Sequence, residues 1–203
     1  MLRTFIVLVV AALPLHAGVP TSPDGIAREI IAPLIDPAKV AKLKGDRPAN
    51  SRMYKVLYWL ETARVAGAKP SEVIDTAQAA AGYAGSKGAA ADKKAILWSR
   101  GKLEECGCFT LAGLARLRKG GSPEITRDEH AGDSIALDHV LPHAVVPELE
   151  ARFYNLEAVP SKVNRRKSAD LTSREISLAR RWHREGLLSA DGLAAVEKAA
   201  AVP

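Results

Sequence analysis

Ser134-Ile135-Ala136-Leu137-Asp138-His139-Val140-Leu141-Pro142, followed by Tyr154-Asn155-Leu156-Glu157-Ala158-Val159-Pro160-Ser161-Lys162-Val163-Asn164-Arg165-Arg166-Lys167, is the stretch on which the fold of this chain turns. The first segment is a short apolar run that closes on Asp138 and His139, the pattern of a brief strand. A loop follows with Pro142 and Pro147 at its corners. Leu156-Glu157-Ala158-Val159 reads as a second short strand, and Pro160-Ser161 opens a helix to about Ser168. The frame is therefore strand, loop, strand, helix.

On either side of this frame the periodicity is helical. Downstream, Thr172 with Glu175 three residues later is a capping box for a helix running to Arg184. Gly186 ends that helix, and Ser189 begins a last, alanine-rich one. Upstream, Ser51 reads as the cap of a helix to about Ala66, with Met53, Val56, Leu57 and Leu60 on one face. Pro70-Ser71-Glu72 starts a second helix with Val73, Ile74 and Ala77 inside. Gly82, Gly85 and Gly88 mark a loop, Asp92 to Glu105 a third helix burying Ile96 and Leu103, and Leu111 to Arg118 a fourth. The fourth is capped by Thr110 and stopped by Gly120-Gly121. Gly85-Ser86-Lys87-Gly88 lacks both the spacing of a phosphate loop and the strand that precedes one. Tyr54, Tyr58 and Trp59 read either as core residues or as base-stacking platforms.

Composition agrees with a helix-rich fold. Hydrophobic residues make up 47% of the 203 residues and aromatic residues only 5%, which favours helices over an all-β sandwich and excludes wholesale disorder. The formal charge of +6 suits a polyanionic partner, nucleic acid or an anionic membrane surface. Met1-Leu2-Arg3, the apolar run Phe5 to Leu15 and Leu15-His16-Ala17 have the order of a signal peptide with its cleavage site, an uncleaved anchor being the alternative. The expected location is thus periplasmic or extracellular, with no stable membrane association once residues 1–17 are removed. The two cysteines, Cys106 and Cys108, are separated by one glycine. They read as small residues near a helix end or as a local or intermolecular disulfide, and they are too few for a structural zinc site.

The central stretch carries the chemistry. It sets a carboxylate, Asp138, and an imidazole, His139, at a strand end, with a second oxygen ligand, Asn164, on the helix beneath. A carboxylate with a neutral amide oxygen makes a sparse site for a hard cation that leaves room for water and phosphate oxygens. A neutral imidazole beside it can take a proton from water. Arg165, Arg166 and Lys167 crowd the same helix. A Lewis acid, a nucleophile generator and an anion clamp are what phosphodiester hydrolysis requires.

Asp-His-x-x-Pro, then Asn-Leu, then Asn-x-x-Lys, in that order and on that frame, resembles the HNH nuclease family over about 35 residues of the chain. The resemblance implies that Asp138 and Asn164 are metal ligands and that His139 is the general base. It implies that Asn155 bonds across the loop to aim His139, that Lys167 sits near the phosphates, and that cleavage leaves 5′-phosphate and 3′-hydroxyl ends. Asn replaces His at the middle and last motif positions, which points to Mg2+, or Mn2+, rather than zinc or nickel. The cysteine pairs that brace some family members with zinc are absent from this sequence.

The expected fold class is α+β and mostly helical. Residues 18–120 form a helical body, and residues 121–203 form a small ββα-metal module with C-terminal helices. The expected function is that of an exported endonuclease of little sequence specificity on DNA, with RNA also a substrate class. The alternative is an exported nucleic-acid-binding module on an inactive scaffold. His143, in the loop, and Arg165, Arg166 and Lys167 are the expected phosphate contacts. Arg180, Arg181 and Arg184 read either as an extension of that anion track or as a solvated face.

Overall fold

The computed structural model describes residues 20–43, 48–167 and 171–201. The expected signal peptide, residues 1–17, and Ser168 lie outside them. Over the described residues the architecture is α+β and mostly helical, with one two-stranded antiparallel sheet.

Hydroxyl caps set many of the helix starts. Ser86 Oγ accepts from Ala89 N at 3.0 Å, Thr110 Oγ1 from Gly113 N at 3.0 Å and Ser189 Oγ from Gly192 N at 2.9 Å. Thr172 and Glu175 form the expected capping box. Two starts differ from the sequence reading. The first long helix begins at Pro48, not after Ser51, because proline is already shaped for a first helical position. Ser51 lies inside that helix, against the turn that ends Leu111–Arg118. There Gly120 has φ +80°, and an added Cβ would strike the Ser51 side chain. The next long helix runs Lys87–Glu105, so it begins before Asp92 and takes in Gly88, because Ser86 caps an alanine-rich first turn. Ahead of these, residues 23–35 form a continuous helical run whose middle, Ile26–Ile31, is π-helical.

Strand β1 (Ile135–His139) pairs with β2 (Leu156–Pro160) in antiparallel register, Asp138 opposite Glu157 and His139 opposite Leu156. One face of this hairpin is apolar. Ile135, Leu137, Leu156 and Ala158 are buried in the same core as Ile31, Met53, Leu57 and Ile96, so that core runs across the boundary between residues 120 and 121. Each such large apolar side chain contributes about 1.5–3 kcal/mol. Among the described residues the outer edge of β1 meets no third strand, only the Glu124–Ser134 bridge at its start, where Ile135 N donates to Pro123 O at 3.0 Å. Its carbonyls are met by helix Pro48–Val65, Tyr54 Oη donating to Ile135 O at 2.8 Å and Asn50 Nδ2 to Leu137 O at 2.7 Å, while Ser122 Oγ also donates to Ile135 O. Tyr54 and Tyr58 are buried, and Trp59 meets Tyr58 edge-on at 4.9 Å, so these rings belong to the core and not to a stacking platform.

A second apolar cluster lies beside the first. Val140, Leu141, Val146 and Leu149, from the loop between the strands, pack on Ala179, Trp182 and Val196 of the C-terminal helices and on Leu188 of the turn between them. The helices Ser173–Arg184 and Ala190–Ala200 thus hold the loop that follows His139. Cys106 and Cys108 are free, buried thiols, and burial pushes Cys108 up to about 12. Among the described residues no helix is long and apolar enough to cross a membrane.

Candidate active site

His139 ends β1, and its ring turns toward the loop. Nε2 lies 3.0 Å from the backbone carbonyl of Glu150. A carbonyl oxygen only accepts, so Nε2 carries the hydrogen, and in the neutral ring Nδ1 is the basic nitrogen. The loop that supplies the carbonyl is fastened by Asn155, which is fully buried. Its Oδ1 accepts from Leu141 N at 2.8 Å, and its Nδ2 donates to Leu141 O at 3.0 Å and to Leu149 O at 3.3 Å. The backbone of Asn155 also accepts from Val140 N at 2.9 Å. One buried amide therefore ties both ends of the loop to the start of β2. His143 is exposed on that loop, its ring centroid 6.1 Å from that of His139.

Neighbouring strand residues point to opposite faces, so Asp138 faces away from the core with Glu157 opposite it. Two facing carboxylates repel unless cations intervene, and two do. Lys167 Nζ lies 2.7 Å from Asp138 Oδ2 and 3.9 Å from Glu157 Oε1, and it also donates to His139 O at 3.2 Å. Arg174 closes on Glu157 with a bond of 2.6 Å, which raises the Arg174 pKa above its usual range.

Lys167 directly follows helix Ser161–Arg166, and Asn164 lies half-buried about one turn before it. Among the described residues the Asn164 side-chain amide makes no hydrogen bond. The helix is anchored from the other end of the hairpin. Asp133 Oδ2 accepts from Lys162 N at 2.7 Å, which holds the Asp133 carboxyl below its usual range, and Ser161 N donates to Ser134 O at 2.8 Å. Ser134 and Ser161 hydroxyls meet at 2.9 Å.

The structure thus brings Asp138, Lys167 and the His139 backbone together, and separately His139 with His143 and Glu150. Arg165 and Arg166 are exposed on the Asn164 helix. Arg180 pairs with Glu197 at 2.9 Å and Arg181 with Glu185 at 4.0 Å, both in solvent. Sequence reasoning missed Glu157, Arg174 and Asp133. The strand register marks Glu157 as the partner of Asp138, while Arg174 and Asp133 carry no local signal. It also missed Asp92, whose Oδ1 accepts from Tyr154 N at 3.0 Å and docks helix Lys87–Glu105 under the start of β2. Burial raises the Asp92 carboxyl to about 7, with the Tyr154 hydrogen bond opposing.

Among the described residues no three His, Cys, Asp or Glu side chains come together as a metal cage. A metal here would rest on the sparser pair of Asp138 and Asn164. Their hard oxygens fit magnesium or manganese by donor chemistry, and an ion there would take the place of the Lys167 ammonium, which holds Asp138 Oδ2 at 2.7 Å. Comparison with protein-family models, curated proteins and solved structures returned no match.

Proposed function

We propose that this chain is an exported, metal-dependent endonuclease of the HNH type, hydrolysing phosphodiester bonds in DNA, and in RNA as a further substrate class. The observation that carries this reading is the His139 ring. Its Nε2 is committed to Glu150 O at 3.0 Å, which leaves Nδ1 as the unprotonated nitrogen of the neutral ring and supports a base role. In the reaction, Nδ1 accepts a proton from water as the water oxygen bonds to phosphorus, and the bond from phosphorus to the 3′ oxygen breaks. The leaving 3′ oxygen takes a proton from a second water, so the products are a 5′-phosphate and a 3′-hydroxyl. Asn155 positions the loop that holds His139. Asp138 and Asn164 would hold the divalent cation, Mg2+ or Mn2+. When bound, that ion supplies Lewis-acid stabilisation of the leaving 3′ oxygen. Lys167, Arg165, Arg166 and His143 contact phosphate oxygens, giving affinity without base readout.

Mutation of the base tests this reading. His139→Ala should lower the cleavage rate by about a hundredfold or more while nucleic-acid binding persists. Retained turnover would refute the role of His139. One observation favours a second reading, an exported nucleic-acid-binding module on an inactive scaffold: Lys167 neutralises Asp138 internally, as a scaffold without metal would require. That reading requires binding without cleavage in the unaltered chain.

A further inference from the structure

Helices Lys87–Glu105 and Ser173–Arg184 do not close on each other. Between them lies an open cleft of about 860 Å³, floored by Tyr154, Leu156 and Glu157. Helical spacing puts Lys87, Ala91, Lys94 and Trp98 on one wall, and Arg174, Ser177 and Arg181 on the other. Four cations face two carboxylates, Glu157 and Glu185, so the cleft is positive on balance. The alanines of the first wall leave the space open. Among the described residues Lys87 and Lys94 are in no ion pair. Trp98 is 49% exposed, whereas Trp182 is buried. The floor leads directly to Glu157, which lies opposite Asp138 in the strand pair.

We propose that this cleft is a track for single-stranded nucleic acid, with an unpaired base stacked on Trp98 and backbone phosphates on Lys87, Lys94 and Arg181. An exposed indole beside cations at the edge of a groove is how sequence-tolerant single-strand sites are built. A duplex keeps its bases stacked inside and has nothing to lay on that ring, so the occupant is single-stranded. The proposal rests on the nuclease reading for its ligand class and deepens it by specifying strandedness and path.

The test is a binding titration of the full chain in chelator, so that cleavage does not interfere. The probes are a thymidine oligonucleotide of about 12 residues, an abasic strand of the same length, a duplex and polyglutamate. The thymidine strand should bind tightest. Trp98→Ala should weaken it about five- to hundredfold, Trp98→Phe should restore most of the loss, and the abasic strand should be insensitive to either change. Lys87→Ala with Lys94→Ala should reduce the salt slope by about 1.4. Equal binding by wild type and Trp98→Ala, or preference for the duplex or polyglutamate, would overturn the track. Adding Mg2+ separates the two readings. Trp98-dependent binding without cleavage keeps the track and removes the nuclease, and cleavage indifferent to Trp98 does the reverse.

Discussion

At the residue scale, Asn155 shows what a buried amide does for a histidine it does not touch. Its three side-chain hydrogen bonds satisfy Leu141 N, Leu141 O and Leu149 O inside the protein. Asn155→Ala would orphan those groups at about 1–3 kcal/mol each where no water can replace the amide. We expect it to lower the urea midpoint by the equivalent of about 3 kcal/mol or more and to lower cleavage with it, because the Glu150 carbonyl would no longer be fixed against His139. An unchanged midpoint would contradict this role. Asn155 was singled out by the resemblance of the stretch, which implied a bond across the loop. Glu157 was not, because its importance comes from standing opposite Asp138, and that requires the register.

At the scale of elements, the hairpin and its helix are held from several sides by polar groups far apart in sequence. Asp133 anchors the Asn164 helix, Asn50 and Tyr54 satisfy the edge of β1, and Asp92 docks the turn before β2. The strands and most helix limits were readable because apolar periodicity and hydroxyl caps are local signals. These long-range bonds were not, since nothing near Asp92 or Asp133 in sequence announces a partner in the motif. Asp92 gives a pH prediction. Its folded pKa of about 7 lies above the ordinary carboxylate value, so the folded state holds the proton more tightly. The resulting stability is complete below about pH 4 and is lost as pH rises through about 7. Asp92→Asn keeps an acceptor for Tyr154 N and removes the titration. From pH 5 to 8 the wild type should lose stability relative to Asp92→Asn, on the order of a few kcal/mol at most. Parallel stability profiles for the two proteins would count against a buried, titrating Asp92.

At the scale of the whole molecule, the upstream helices and the motif share one core, so the helical body acts as the support of the site. It also supplies one wall of the cleft beside it. The sequence showed a helical body and a motif but not their junction, because a shared core is visible only when both sides are folded. The net charge of +6 suits a polyanion at this scale. Metal-dependent cleavage by the whole chain is measured most directly on circular single-stranded DNA incubated with the purified protein in Mg2+, with and without excess chelator. Linear and shorter strands carrying 5′-phosphate ends should form in Mg2+, and the circles should stay intact in chelator. Circles that are bound but left intact in Mg2+, or cut equally in chelator, would contradict the nuclease reading.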